Sequence, residues 1–217
     1  MTQMRISISR LHYPVTTLGP GRRVGIWFQG CSIRCEGCIS ADTWGFEKGA
    51  TTVEAVLETV APWISVAGGV TISGGEPFDQ PEALQALVRG LHLRADQGLL
   101  VYSGYPLERI RGTLDELDGL VDAVISDPFE LSAPQTLALR GSDNQRLNLL
   151  TKVGQQQFEE FDRPLAETER SLDVMFDDAG TVWLAGVPRR GDMLRLRDLL
   201  RAQGHEVATT DATRTAE

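Results

Sequence analysis

Cys31-Ser32-Ile33-Arg34-Cys35-Glu36-Gly37-Cys38 contains every cysteine of the chain. It follows directly on an apolar run at 24–28. The spacing is C-x3-C-x2-C. A [4Fe–4S] cluster is held by cysteine thiolates, four when fully ligated. Three leave one iron without a protein ligand, and that iron can bind a small molecule. Thiolates are soft ligands that suit iron–sulfur or zinc. Gly37 lets a tight loop turn without a Cβ clash, and Arg34 adds positive charge near an anionic cluster. Zinc needs a fourth ligand, and His12, His92 and His205 do not stand at zinc-site spacing. A disulfide framework favours an even cysteine count in a short secreted chain. The run therefore reads as a cluster loop with an open iron.

Composition limits the alternatives. The chain has 217 residues, 41% of them hydrophobic, enough for one sizeable core or a core with a small appendage. Its net charge of −9 argues against a nucleic-acid surface. No apolar stretch approaches the roughly 20 residues that cross a bilayer, and Met1-Thr2-Gln3-Met4-Arg5-Ile6 does not read as a signal peptide. With reduced cysteines, the cytoplasm is the expected compartment. Arg189-Arg190 reads as a solvated pair, whereas Arg22-Arg23 is a candidate for a role near the cluster or a partner.

Working outward, the run at 24–28 reads as the first strand, delivering Cys31 from its C-terminal end. Residues 51–64 read as a helix, with Thr51 and Glu54 as a capping box and Val53, Val56, Leu57, Val60 and Ile64 on one face. A strand at 70–73 leads to a helix from about Asp79, where Asp79 and Glu82 repeat the box. Further strands are expected at 99–102, 123–126 and 147–150, with a short helix near 106–111. Alternation of this kind indicates βαβ units and a parallel sheet, whose ligands gather beyond strand C-termini. The cysteine loop, Gly74–Glu76, Ser103 and Asp127 stand at or beyond such ends, and Asn144 precedes its strand. Residues 154–170 read as a linker or loose helix. Residues 171–208 read as a hairpin (turn at 177–180), a helix over 190–203 and a third strand at 205–208. Residues 209–217 read as a frayed tail. A two-stranded hairpin is marginal alone, so this unit must pack on the rest, as a lid or as a dock for a partner.

The C-x3-C-x2-C run resembles the signature of the radical S-adenosylmethionine enzymes. Gly74-Gly75-Glu76-Pro77, after a strand, resembles that superfamily's GGE motif. The stretches 19–31, 38–44, 101–105, 121–129 and 140–146 are similar to anaerobic ribonucleotide reductase activating enzymes, so the resemblance covers roughly 10–150. It implies an α/β fold, an incomplete (β/α) barrel over 1–153 with a small C-terminal α+β appendage. It implies Cys31, Cys35 and Cys38 as cluster ligands and Gly74, Gly75 and Glu76 at the amino group of S-adenosylmethionine. It also implies Ser103, Asp127 and Asn144 near that cofactor, Arg140 toward the substrate and Trp44 as a wall of the cluster. The implied reaction is reductive cleavage of S-adenosylmethionine to a 5′-deoxyadenosyl radical that installs a glycyl radical on a partner enzyme. Reduced flavodoxin or ferredoxin would be the electron donor. Competing readings are a radical enzyme for a peptide or small metabolite, and a non-catalytic redox or binding protein.

Overall fold

A computed structural model describes residues 3–94, 98–166, 169–176 and 181–207. Strands β1 (Arg5–Val15), β2 (Arg23–Phe28), β3 (Ala50–Thr52), β4 (Gly69–Gly74), β5 (Leu99–Tyr102), β6 (Ala123–Ser126) and β7 (Arg146–Leu149) form one sheet, in the order β3-β1-β2-β4-β5-β6-β7. The four central strands β2, β4, β5 and β6 are parallel. Helices α1 (Val53–Ile64), α2 (Pro81–His92) and α3 (Leu107–Glu116) alternate with them. The α/β class is as expected, but the sheet is mixed rather than parallel. The sequence reading missed β1, which runs antiparallel to β2, and β3 in turn pairs antiparallel with β1. β7 also returns antiparallel, on β6, because the connection at 127–145 holds no crossover helix.

The strands alternate between two faces. Val24, Ile26, Phe28, Val70, Ile72, Leu99, Val101 and Val124 point to the three helices and share their core. Trp27, Leu100, Ala123 and Ile125 point the other way. The buried stripe of α1 (Val53, Val56, Leu57, Val60, Ile64) is the one its spacing predicts. Both capping boxes are corrected. Thr52 caps α1 by accepting from the Ala55 amide, because Thr51 is taken up in β3, paired with Ile6. Gln80, not Asp79, precedes α2, and its side chain ties the backbones of Ser7 and Gln29. Arg23 is also far from the role expected of it. Fully buried, its guanidinium donates to Thr71 Oγ1 at 2.6 Å and to the carbonyls of Val70 and Gly98 at 2.6 and 2.7 Å. It staples β2 to the entries of β4 and β5.

The stretch after 151 is more structured than its composition suggests. Helix α4 (Lys152–Phe158) is capped by Thr151 and continues into a 3-10 turn at Glu159–Phe161. Phe158 is fully buried against Leu100, Ala123 and Ile125, with the Arg23 guanidinium 5.2 Å from its ring. Strands β8 (Leu172–Phe176) and β9 (Val182–Gly186) form the expected hairpin, followed by α5 (Asp192–Ala202). Met175 and Ala185 bury against Val15, Leu18 and Trp27. The Asp173 carboxylate accepts from the amides and hydroxyls of both Thr16 and Thr17, at 2.7–3.1 Å. Residues 205–207 form no strand. The turn at 177–180, Ala208 and the tail at 209–217 lie outside the described residues. Among the described residues, no helix is long and apolar enough to cross a membrane.

Candidate active site

The parallel strands deliver their C-terminal ends to one place. After β2 the chain enters the cysteine loop; after β4 come Gly75 and Glu76; after β5 come Ser103 and Gly104. All of these line one cavity of about 560 Å³, within the usual range for a small-molecule site. Cys31, Cys35 and Cys38 stand on its wall with Ile33, Trp44 and Leu131. The loop turns at Arg34 (φ 54°) and Gly37 (φ 72°), and the Cys38 amide donates to the Cys35 carbonyl at 3.2 Å.

Burial pushes the Cys38 thiol up to about 11 and also raises Cys31. Backbone hydrogen bonds partly offset both shifts, and the Trp44 side chain adds one to Cys38. An anionic sulfur is costly there without a cation, which iron supplies on ligation. A four-iron cluster takes thiolates at separate corners, so its sulfurs need not converge as on one ion. Among the described residues, no three Cys, His, Asp or Glu side chains do converge in that way.

Glu76 is the second focus. Only 1% exposed, it accepts from the Phe78 amide (3.1 Å) and Ser103 Oγ (2.9 Å) through Oε1, and from the Gly104 amide (2.8 Å) through Oε2. Burial nevertheless raises its carboxyl to about 7, against those hydrogen bonds. The two preceding glycines have no room for a side chain. A Cβ on Gly75 would lie 2.1 Å from the Gly30 carbonyl oxygen, and one on Gly74 (φ 105°) 2.5 Å from the Phe28 backbone. The turn therefore sits directly on the start of the cysteine loop, where the Glu76 amide donates to the Gly30 carbonyl at 2.8 Å.

A network that sequence reasoning missed locks this joint. Asp79 accepts from the Ser32 amide (2.7 Å), Ser32 Oγ (3.0 Å) and the Tyr105 hydroxyl (2.7 Å). One carboxylate thus ties the cysteine loop to the ends of β4 and β5. Its sequence signal, an acid just before a helical pattern, looks like a cap.

Other expectations separate. Ser103 lines the cavity, but its hydroxyl is spent on Glu76 and the Tyr105 amide. Asp127 follows β6 with φ 81°, pairs with Arg146 at 2.6 Å and is not itself among the cavity-lining residues, although its carbonyl accepts from the lining residue Gln145 at 3.1 Å. Asn144 donates to the Pro128 carbonyl at 2.8 Å, and its buried Oδ1 has no partner among the described residues; its neighbour Gln145 reaches the cavity instead. Arg140 is buried and pairs with Asp162 at 2.6 Å, so it does not face a substrate. Trp44 does line the cavity. The far wall comes from the C-terminal unit, through Leu184 and the stretch from Gly186 to Leu194, with Arg10 beside it. Nothing local in the sequence signals that placement.

This geometry agrees with the similarities of the chain to known proteins. Residues 17–148 match the family described as 4Fe-4S single cluster domain. The anaerobic ribonucleoside-triphosphate reductase-activating protein of Enterobacteria phage T4 is 32% identical over 134 residues, covering 59% of this chain and 85% of that protein. The protein of the same name from Salmonella typhi is 28% identical over 145 residues, 62% and 93% respectively. The pyruvate formate-lyase-activating enzyme of Clostridium pasteurianum is 37% identical over 97 residues, where the chain spans only 41% of its length. The chain belongs to the 4Fe-4S single cluster domain family of radical S-adenosylmethionine enzymes, whose cofactors are a [4Fe–4S] cluster and S-adenosylmethionine.

Proposed function

We propose that this chain is an activating enzyme that installs a glycyl radical on a partner enzyme. One observation carries the reading: the three cysteines and the Gly74-Gly75-Glu76 turn share a cavity at the ends of parallel strands. When bound and reduced, the cluster and S-adenosylmethionine supply one-electron cleavage of a carbon–sulfur bond, giving methionine and a 5′-deoxyadenosyl radical that takes a hydrogen atom from the substrate.

The chain's residues supply placement. Cys31, Cys35 and Cys38 hold three irons. Glu76, kept in one orientation by its three donors, would accept from the cofactor's ammonium, and Gly74 and Gly75 would allow the backbone to approach it. Trp27, Ile33, Leu131 and Leu139 wall the cavity with apolar surface, which excludes water from a reactive radical. Ser103 acts through Glu76 as a positioning residue. Asp127 and Asn144 shape the loop beyond β6 that delivers Gln145.

In this reading the sheet with α1–α3 is an incomplete (β/α) barrel reaching to about residue 153, closed along one side by the C-terminal unit. Reduced flavodoxin or ferredoxin in the cytoplasm is the proposed electron source. The test is 5′-deoxyadenosine release by anaerobically reconstituted, reduced protein given S-adenosylmethionine, beside Cys35→Ala. Release from the wild type alone supports the reading. Equal release from both, or none from a wild type carrying its cluster and supplied with the partner, would sink it.

A further inference from the structure

We propose that the C-terminal hairpin and α5 form the seat for the protein partner, gripping an apolar patch with an acidic rim beside its radical-bearing glycine. The proposal rests on the activase reading and assigns its docking surface. The unit stands at the entrance to the chemistry. Met193 and Leu194, in the first turn of α5, line the same cavity as the cysteines. From there the apolar side continues outward along the helix. Leu196 and Leu199 follow at three-residue steps from Met193, 38% and 64% exposed. Met193, Leu196 and Leu199 or Leu200 form the stripe that an amphipathic helix normally buries. No residue of α5 is buried.

Charge identifies the occupant. Between 187 and 204 stand Arg189, Arg190, Arg195, Arg197 and Arg201; Asp192 pairs with Arg195 at 3.6 Å and Asp198 with Arg197 at 2.8 Å, which leaves a surplus of three positive charges in a chain of net charge −9. A basic rim around exposed leucines complements an acidic rim around apolar side chains, and it steers such a surface toward the cavity mouth. The platform is held from behind. Asp173 clamps β8 to Thr16 and Thr17, Gln135 donates to the Pro188 carbonyl at 2.8 Å, and Arg190 donates to the Ala133 carbonyl. A basic amphipathic helix also suits an anionic lipid surface. Here the apolar stripe begins inside the reaction cavity, which a lipid surface would not explain and a substrate protein does.

The test uses the full chain, wild type and Leu199→Glu combined with Arg195→Glu, neither of which lines the cavity. The probe is the purified glycyl radical ribonucleotide reductase of the same organism. Three quantities are read: affinity for the reductase, glycyl radical yield by electron paramagnetic resonance, and 5′-deoxyadenosine release without the reductase. The proposal expects the double variant to bind about tenfold or more weakly, the scale of losing two interface contacts. Radical yield falls in parallel, and partner-free release is unchanged. Unchanged affinity and yield overturn the proposal. Loss of retention on anionic vesicles, or of self-association in sedimentation, with reductase binding intact also overturns it, in favour of a membrane or a second copy. Partner-free release by a wild type that neither binds nor activates the reductase overturns the activase reading itself.

Discussion

The cavity has two walls built on different physics. The sheet wall is backed by a continuous core of three helices and by buried polar staples at both ends of its strands. The C-terminal wall rests on a small cluster around Met175 and Ala185 and on hydrogen bonds from partly exposed side chains, while α5 buries nothing. The first wall fixes where the cofactors sit. The second, with its smaller core, is expected to loosen without unfolding the first, which suits the docking role proposed for it.

Substitutions that sort between the two walls test this contrast. The largest effect is expected at Arg23. Arg23→Met removes the guanidinium's hydrogen bonds to Thr71 Oγ1 and to the buried carbonyls of Val70 and Gly98, leaving the Gly98 carbonyl only the Val70 amide, and urea unfolding should show a loss of about 3 kcal/mol. A loss below about 1 kcal/mol would mean that the sheet does not depend on that staple.

Glu76 comes next. Its carboxyl is raised to about 7 from 4.5, so its stabilising contribution is full below 4.5 and is lost as pH rises through 7. That amounts to about 3 kcal/mol across the interval. Unfolding of the metal-free protein followed from pH 5 to 8 should show this decline, and Glu76→Gln should flatten it; parallel curves would refute it.

Gly75→Ala drives a methyl into the Gly30 carbonyl and should cost about 2 kcal/mol, seen as a lowered denaturation midpoint. A neutral result would mean that the turn and the cysteine loop can move apart.

The smallest effect belongs to the other wall. Asp173→Ala should cost about 1 kcal/mol. Faster hydrogen exchange should be confined to β8 and β9, with β4 and β5 unchanged. Spread of the effect into β4 would erase the distinction between the walls.

The legible parts of this molecule were the local ones. Three cysteines within one loop point to a cluster by their spacing, and the Gly-Gly-Glu turn behind a strand stands out through its resemblance to a known motif. The buried stripes of α1 and α2 follow from periodicity alone. What failed depended on distant pairing. β1 mixes Arg10, His12 and Tyr13 with its apolar residues, because much of it is only half-buried, so no clean alternation marks it. The direction of β7 is set by a connection without a helix. Asp79 looks like a cap until Ser32 and Tyr105 are brought to it, and Arg23 looks like a residue for the cluster or a partner until four acceptors surround it. The placement of the last third is legible only where Met193 and Leu194 meet a cavity whose cysteine loop and Gly-Gly-Glu turn stand more than a hundred residues earlier in the chain.

The order of those walls along the chain also bears on assembly. A polypeptide leaves the ribosome from its N-terminus. The cysteine loop, the Gly-Gly-Glu turn and the strands that carry them precede residue 150, whereas the closing wall emerges after them. Up to about residue 150 the chain holds the cysteine loop and the Gly-Gly-Glu turn without the residues of the opposite wall. Only when β8, β9 and α5 follow does the cavity gain the wall that Leu184, Met193 and Leu194 supply.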